Sequence, residues 1–361
     1  MSRPARALLD ANALRHNLQC ARRCAPQARV MAIVKADAYG HGLEWAAQNL
    51  PDADAFGVAS IEEGVELRRV AAVGPRPICL LEGFFAADEL PLLVQHRLSP
   101  VIHHEPQVAA LEAFTGKAAF AVWIKLDTGM HRLGFPPDRF PQILQRLQNC
   151  ASVKEIRVIS HLANADNRFD TTTQAQIELF HEQTAGKGLD ASLANSAGVV
   201  AWPESHLQWV RPGIMLYGAS PLIGARPAEF DLKPVMTLCS ALIAINQRRR
   251  GDPIGYGGDW HCPQDMAVGT VAMGYGDGYP RHVPPGTPVL INGTRAALVG
   301  RVSMDLITVD LRAHANAKVG DPVVFWGNGL PVDEIAARAG TLSYELLCQV
   351  SPRVPRVVIG E

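Results

Sequence analysis

Residues 29–50 read RVMAIVKADAYGHGLEWAAQNL. An apolar, β-branched run over 29–35 ends in Lys35, and a turn bounded by glycines follows. Leu43, Ala46, Ala47 and Leu50 then recur at helical spacing, so the stretch is one strand followed by one helix. The same alternation continues to about residue 218. Further strands are predicted at 55–60, 77–83, 98–104, 118–127, 155–163, 190–196 and 207–215. Helices are expected around 42–50, 61–70, 87–96, 105–114, 138–149, 171–185 and 197–202, with Asp10 capping an opening helix from Ala13 to Cys24. Eight strands alternating with helices predict an α/β chain built on a closed (β/α)8 TIM-type barrel, over residues 1–235.

After residue 235 the texture changes to short strands punctuated by Gly and Pro: MTLCSALIAINQ, DMAVGTVAM, TPVLING, RAALVGRV, LITVDL and DPVVFWG, with one helix near 331–339. Residues 236–361 are therefore expected to form a C-terminal, mainly β domain, reached through a connection at 220–234.

Composition narrows the function. Of 361 residues 48% are hydrophobic and 19% charged, which suits a chain with packed cores. The formal charge of −1 leaves no basic excess for a nucleic-acid or anionic membrane partner. No apolar run approaches the roughly 18 residues a membrane helix needs, and RPARALLDANALRHN lacks a signal-peptide core, so a soluble, cytoplasmic protein is expected. Cys20, Cys24, Cys79, Cys150, Cys239, Cys262 and Cys348 form no C-x-x-C pair and read as reduced thiols. His103 and His104, as strand neighbours, should point to opposite faces, and no metal site is expected.

In such a barrel the chemistry sits at the C-terminal ends of the strands. Strand one ends in Lys35, strand five carries Lys125 and Asp127, strand six His161, strand seven Asn195 and Ser196, and strand eight Arg211. Amine, imidazole, hydroxyl and guanidinium groups thus converge on one rim. A cofactor with a phosphate and an aldehyde would use all four.

VKADAYGHG (34–42) resembles the lysine motif of the bacterial alanine racemases, which bind pyridoxal 5'-phosphate. The resemblance extends through KLDTGMHRLG (125–134), SHLANAD (160–166), ANSAG (194–198), VRPGIMLYG (210–218), IGYGG (254–258), MGYGDGYPR (273–281), GRVSMD (300–305) and SYE (343–345). It implies a pyridoxal-phosphate-dependent isomerase interconverting L- and D-alanine with two bases. Lys35 binds the cofactor and then serves one face. Tyr256, from the other subunit of a homodimer with shared sites, serves the opposite face. Both pKa values must fall, or the proton must be passed on, for these groups to act near neutrality.

The resemblance further implies that His161 and Arg211 link to Tyr256 by hydrogen bonds. Arg211 lies beside the pyridine nitrogen, where it can only donate; the nitrogen stays unprotonated and transamination is disfavoured. Tyr39, Ser196 and Tyr344 hydroxyls, with the N–H groups of Ser196, Gly213 and Ile214, are implied to hold the phosphate. Arg132 is implied to contact cofactor and substrate carboxylate, and Lys125 corresponds to a lysine that is carbamylated in some members. Met304 gives its N–H to the substrate, with Asp305 beside it, and Asp166, Tyr275 and Arg301 line an entry corridor. The product would supply peptidoglycan synthesis or feed D-alanine breakdown.

Other readings are a broader-specificity amino-acid (serine) racemase, a barrel-type decarboxylase and a non-catalytic cofactor carrier. Arg211 argues against the decarboxylase, which places an acid at that point. The second domain with Tyr256 and Met304 argues against the carrier, and the absent signal segment argues against exported broad-specificity racemases. Tyr344 and Met304 would crowd a side chain larger than methyl.

Overall fold

The computed structural model describes residues 3–117 and 119–360. Residues 1, 2, 118 and 361 lie outside the described residues, and with them the first position of the expected fifth strand. The chain opens with β1 (Arg6–Asp10) and α1 (Ala11–Cys24), and Asp10 Oδ1 accepts the Ala13 N–H at 3.0 Å, capping the helix as expected. Eight parallel strands follow: β2 (Arg29–Ile33), β3 (Ala55–Val58), β4 (Ile78–Leu80), β5 (Leu98–Ile102), β6 (Phe120–Lys125), β7 (Val153–Ile159), β8 (Ala191–Ser192) and β9 (Trp209–Val210). Each pairs with the next and β9 closes on β2, giving the barrel.

All eight strands overlap the spans expected from the sequence, and every one is shorter, with β7 starting two residues early. The difference is largest in β8 and β9, where Leu193, Ala194, Ile214 and Met215 are fully buried outside any ladder. Their apolarity reflects loop walls packed into the core, which a strand pattern cannot tell from a buried strand. The N-terminal end of the barrel is filled by Trp123 and Trp209, edge to face at 6.0 Å, with the Arg157 guanidinium over both rings.

The expectation that His103 and His104 point apart is corrected. β5 stops at Ile102, strand alternation ends with it, and the two rings stack at 4.8 Å and 12°.

The second half contains β10 (Met236–Arg248), β11 (Pro253–Ile254), β12 (Trp260–His261), β13 (Met266–Val271), β14 (Pro288–Ile291), β15 (Thr294–Val299), β16 (Ile307–Asp310), β17 (Pro322–Trp326) and β18 (Arg356–Ile359). The first half of the long β10 pairs with β1 and β17, and its second half with β13. The order β13-β16-β15-β14-β17-β10 therefore closes on itself, with β1 and β18 alongside. The N-terminal strand belongs to this sheet: Arg6 faces Cys239 and Ala7 faces Arg356. No local pattern in RALLD announces that pairing. The helix expected near 331–339 is Val332–Ala339, and a second helix, Ser343–Cys348, follows it. Among the described residues no helix is long and apolar enough to cross a membrane, and all seven cysteines are free thiols.

Candidate active site

A cavity of about 670 Å³ opens at the C-terminal ends of the barrel strands. It is lined by twelve of the rim and site residues singled out in the sequence: Lys35 and Tyr39 after β2, Lys125 at the end of β6 with Asp127 and Arg132 in the loop beyond, His161 after β7, Asn195 and Ser196 after β8, Arg211, Gly213 and Ile214 after β9, and Tyr344 from the C-terminal part.

Lys35 opens an unusual turn. Ala36, Asp37, Ala38 and Tyr39 all have φ between 52 and 54°, one left-handed helical turn without a glycine in it. Each such residue costs about 1–2 kcal/mol, so the surroundings must impose the conformation. Glu63 accepts the N–H groups of Ala36 (2.7 Å) and Ala59 (2.8 Å), and the Asp37 carboxylate accepts the Leu43 N–H at 2.7 Å. Arg356 of β18 donates to Gly40 O at 3.1 Å. At Gly40, with φ 78°, a Cβ would stand 2.3 Å from Leu347 O, so glycine is required there.

Along the far wall the cavity is cationic. Arg211 donates through Nη1 to Ser192 Oγ at 2.5 Å and through Nη2 to Ser160 O at 2.6 Å, and its Nη2 lies 3.4 Å from His161 Nδ1. Burial lowers Arg211 to about 10, which leaves it charged at neutral pH. Burial, Lys125 and the arginines hold His161 well below its ordinary value, so its imidazole is neutral. Since arginine only donates, Nδ1 of His161 accepts and its proton resides on Nε2.

Lys125 meets solvent only through the cavity. Burial first, then Arg211 and Arg132, lower it to about 7 from 10.5. Cys79 and Asp127 supply the opposing influences; burial pushes the Cys79 thiol up to about 12, keeping it neutral, and Asp127 is engaged elsewhere. Its Oδ1 accepts from the N–H groups of Gly129 and His131, shaping the loop that carries Arg132. Three cationic side chains thus share a wall lacking a dedicated carboxylate partner, an environment suited to an added anion.

The opposite end offers neutral donors. Burial raises the Tyr39 phenol and lifts Tyr344 to about 12, so both hydroxyls keep their protons. Ser196 Oγ accepts the Gly213 N–H at 2.8 Å, which leaves its own O–H to donate. A Cβ on residue 213 would lie 2.5 Å from Tyr39 Oη, so this cradle exists because that residue is glycine. A phosphate-bearing aldehyde fits these groups: hydroxyls for the phosphate, the Lys35 amine for the aldehyde and Arg211 for a ring acceptor.

The remaining sequence candidates lie outside the cavity of the single chain. Tyr256, 69% exposed, begins a short turn between β11 and β12, and Met304 is 54% exposed. Tyr275 donates its N–H to Ser303 O and Gly276 donates to Met304 O, joining the two loops into one piece. Asp305 accepts from Arg353 at 2.7 Å, Arg301 pairs with Asp259, and Asp166 is an exposed residue whose charge acts on Tyr344.

Sequence reading missed Ser192, Ser160, Asp127's structural part, Glu63 and Gln176. The Gln176 amide brackets the His161 segment, donating to His161 O (3.1 Å) and accepting from Ala163 N (2.9 Å). Gln176 is buried on its helix face, which only the fold reveals. Among the described residues, the group able to approach a metal together is His16, Cys20 and Asp231, away from the cavity, where Arg23 already donates to Cys20 Sγ and Asp231 Oδ2.

Comparison with known proteins shows the family. The family model described as alanine racemase, N-terminal domain, matches residues 9–221, and that described as alanine racemase, C-terminal domain, matches 235–358. An alanine racemase of Nitrosococcus oceani is 52% identical over 354 residues, covering 98% of each chain. The biosynthetic alanine racemase of Escherichia coli is 49% identical over 352 residues, 97% of this chain and 98% of that one. The crystal structure of the biosynthetic alanine racemase from Pseudomonas aeruginosa superposes with a TM-score of 0.96 at 47% identity over 99% of both chains.

Proposed function

The chain belongs to the alanine racemase family, and on that premise we propose that it holds pyridoxal 5'-phosphate on Lys35 and interconverts L- and D-alanine in a homodimer with shared sites. One observation carries the proposal: the Lys35 amine, the donors of Tyr39, Ser196 and Tyr344, and the guanidinium of Arg211 line a single cavity. When bound, the cofactor supplies an electron sink that acidifies the α-hydrogen of an amino acid.

The chain's own groups do the rest. Hydroxyls of Tyr39, Ser196 and Tyr344 would bind the phosphate, with the N–H groups of Ser196 and Ile214 around it and the Gly213 N–H, now donated to Ser196 Oγ, beside them. Nη1 and Nη2 of Arg211 are engaged by Ser192, Ser160 and His161, and its Nε would donate to the ring nitrogen of the bound cofactor. Being a donor only, it leaves that nitrogen unprotonated. Arg132 receives the substrate carboxylate. Lys125, lowered to about 7 by burial and two arginines, would add its amine nitrogen to carbon dioxide, release a proton and become a carbamate anion among the cations of that wall.

Lys35 Nζ takes or returns the α-proton on one face, and Tyr256 of a second copy does so on the other. His161, neutral and protonated on Nε2, passes the proton on the tyrosine side while Arg211 holds its Nδ1. Met304 and Asp305 of the second copy complete the substrate wall, and Asp166, Tyr275 and Arg301 border the approach. The exposure of Tyr256 and Met304 in the single chain supports this division between copies. D-Alanine for peptidoglycan, or its breakdown, is the corresponding role.

The test is borohydride reduction of the holoenzyme followed by peptide mass analysis, with chiral analysis of L-alanine incubated with the untreated enzyme. A reduced adduct on Lys35 and formation of D-alanine are expected. Absence of the adduct removes the proposal.

A further inference from the structure

Resting on the pyridoxal-phosphate reading above, we propose that His41 is a positioning residue that fixes Tyr39 for the cofactor phosphate, by locking the left-handed turn from its C-terminal side. His41 does not line the cavity and is 1% exposed. Its Nδ1 lies 3.0 Å from Ala38 O and 2.9 Å from Tyr39 O. Both partners are carbonyl oxygens, which only accept, so Nδ1 carries the proton and donates to both. Burial lowers the imidazole to about 4, so the ring is neutral and this tautomer persists at physiological pH.

The same ring packs at a tilt against Tyr217, 4.6 Å between ring centres, and Tyr217 stacks on Tyr39 at 4.8 Å. Tyr217 is itself tied down by its hydroxyl, which donates to Ile33 O at 2.9 Å. His41 therefore holds Tyr39 twice, at its carbonyl by a hydrogen bond and at its ring through Tyr217. Glu63 and Arg356 anchor the two ends of the turn, but His41 binds two successive carbonyls within it. Two residues at positive φ present those oxygens to one nitrogen. Without that donor the carbonyls lose their shared partner and the turn loses a reason to stay left-handed. Tyr39 Oη would then leave its position beside Gly213.

The experiment compares binding of pyridoxal phosphate and of pyridoxal, which lacks the phosphate, to full-length wild type, His41→Phe and His41→Asn by absorbance titration. Phenylalanine keeps a stacking ring without the donor, while asparagine places an amide donor near the Nδ1 position. We expect His41→Phe to weaken pyridoxal phosphate on the order of tenfold and to leave pyridoxal unchanged. His41→Asn should retain most of the phosphate preference, and His41→Phe should have no added effect in a Tyr39→Phe background. Equal weakening of both ligands, an effect additive with Tyr39→Phe, or unchanged binding by His41→Phe would overturn the proposal. If His41→Phe does not fold, ¹⁵N-histidine spectra of wild type, assigned with His41→Asn, decide: a neutral ring protonated on Nε2 overturns it. A wild type that binds neither ligand refutes the cofactor reading instead.

Discussion

Arg211 and His161 meet nitrogen to nitrogen: Nη2 of the guanidinium stands 3.4 Å from Nδ1 of the imidazole. A donor that never gives up its proton thereby dictates which nitrogen of a neutral histidine carries one. The same guanidinium is held by Ser192 and Ser160, so its orientation is imposed from the barrel wall.

Replacing that donor by an acid should alter the outcome of turnover. Arg211→Glu puts a carboxylate where the ring nitrogen is expected, keeping it protonated and deepening the electron sink. Racemisation should fall by about a hundredfold or more, and the share of turnovers ending in pyruvate should rise. Pyruvate measured against D-alanine checks this, and an unchanged ratio counts against the role.

Lys125 makes a pH prediction with a definite sign. Its value of about 7 in the fold lies below its ordinary 10.5, so between those limits the unfolded chain binds the proton that the folded chain has released. Stability should therefore rise with pH from about 7 towards 10, and the penalty of burying the ammonium should be fully present below pH 7. Urea unfolding at pH 6, 7.5 and 9 should show a flatter dependence in Lys125→Met; identical slopes would contradict the lowered value.

The same amine should be reactive. In ¹³C-bicarbonate the wild type should show a carbamate carbon resonance that Lys125→Ala lacks. If the spectra of the two proteins coincide, the anion on this wall has another source.

Sharing of sites can be tested by mixing two inactive chains. Lys35→Ala and Tyr256→Ala dissociated and reassembled together should regain activity, because the mixed dimer has one site with both bases. Statistical reassortment sets the recovery at about a quarter of wild type. No recovery in a verified heterodimer would show that each site is built from one chain.

Gly213→Ala probes the close approach of this backbone to Tyr39. Its Cβ would lie 2.5 Å from Tyr39 Oη and displace the hydroxyl. Pyridoxal phosphate should bind roughly tenfold more weakly or worse, with little change in urea stability. Unaltered affinity would mean that Tyr39 does not contact the phosphate.

Eight strands were legible because seven of the eight apolar runs are followed by a helical pattern, the alternation expected of parallel strands covered on both faces. Their ends were not, since Leu193, in a loop, and Ile214, in a 3-10 turn, are equally apolar and packed against the core. The place of residues 6–10 was hidden as well. Arg6 and Cys239 are partners through backbone hydrogen bonds between distant parts of the chain, and such bonds leave no trace in side-chain pattern. Lys35, Lys125, Asp127, His161, Asn195, Ser196 and Arg211 could be placed on one rim from strand ends alone, whereas Arg132, Gly213, Ile214 and Tyr344 entered through the family resemblance. Ser192 and Gln176 could not, because a small or amide side chain acquires its part only from what faces it.

Which groups are available was thus written in the order of residues: an amine after the first strand, an imidazole after the sixth, a guanidinium after the eighth. Their protonation and their aim came from tertiary structure alone. Ala36 to Tyr39 have no intrinsic preference for a left-handed turn, and that hand exists because Glu63, Arg356 and His41, brought from outside the turn, compensate its local cost. Likewise Lys125 is an ordinary lysine in the chain and a weakly basic amine in the fold, because burial and two arginines disfavour its charge.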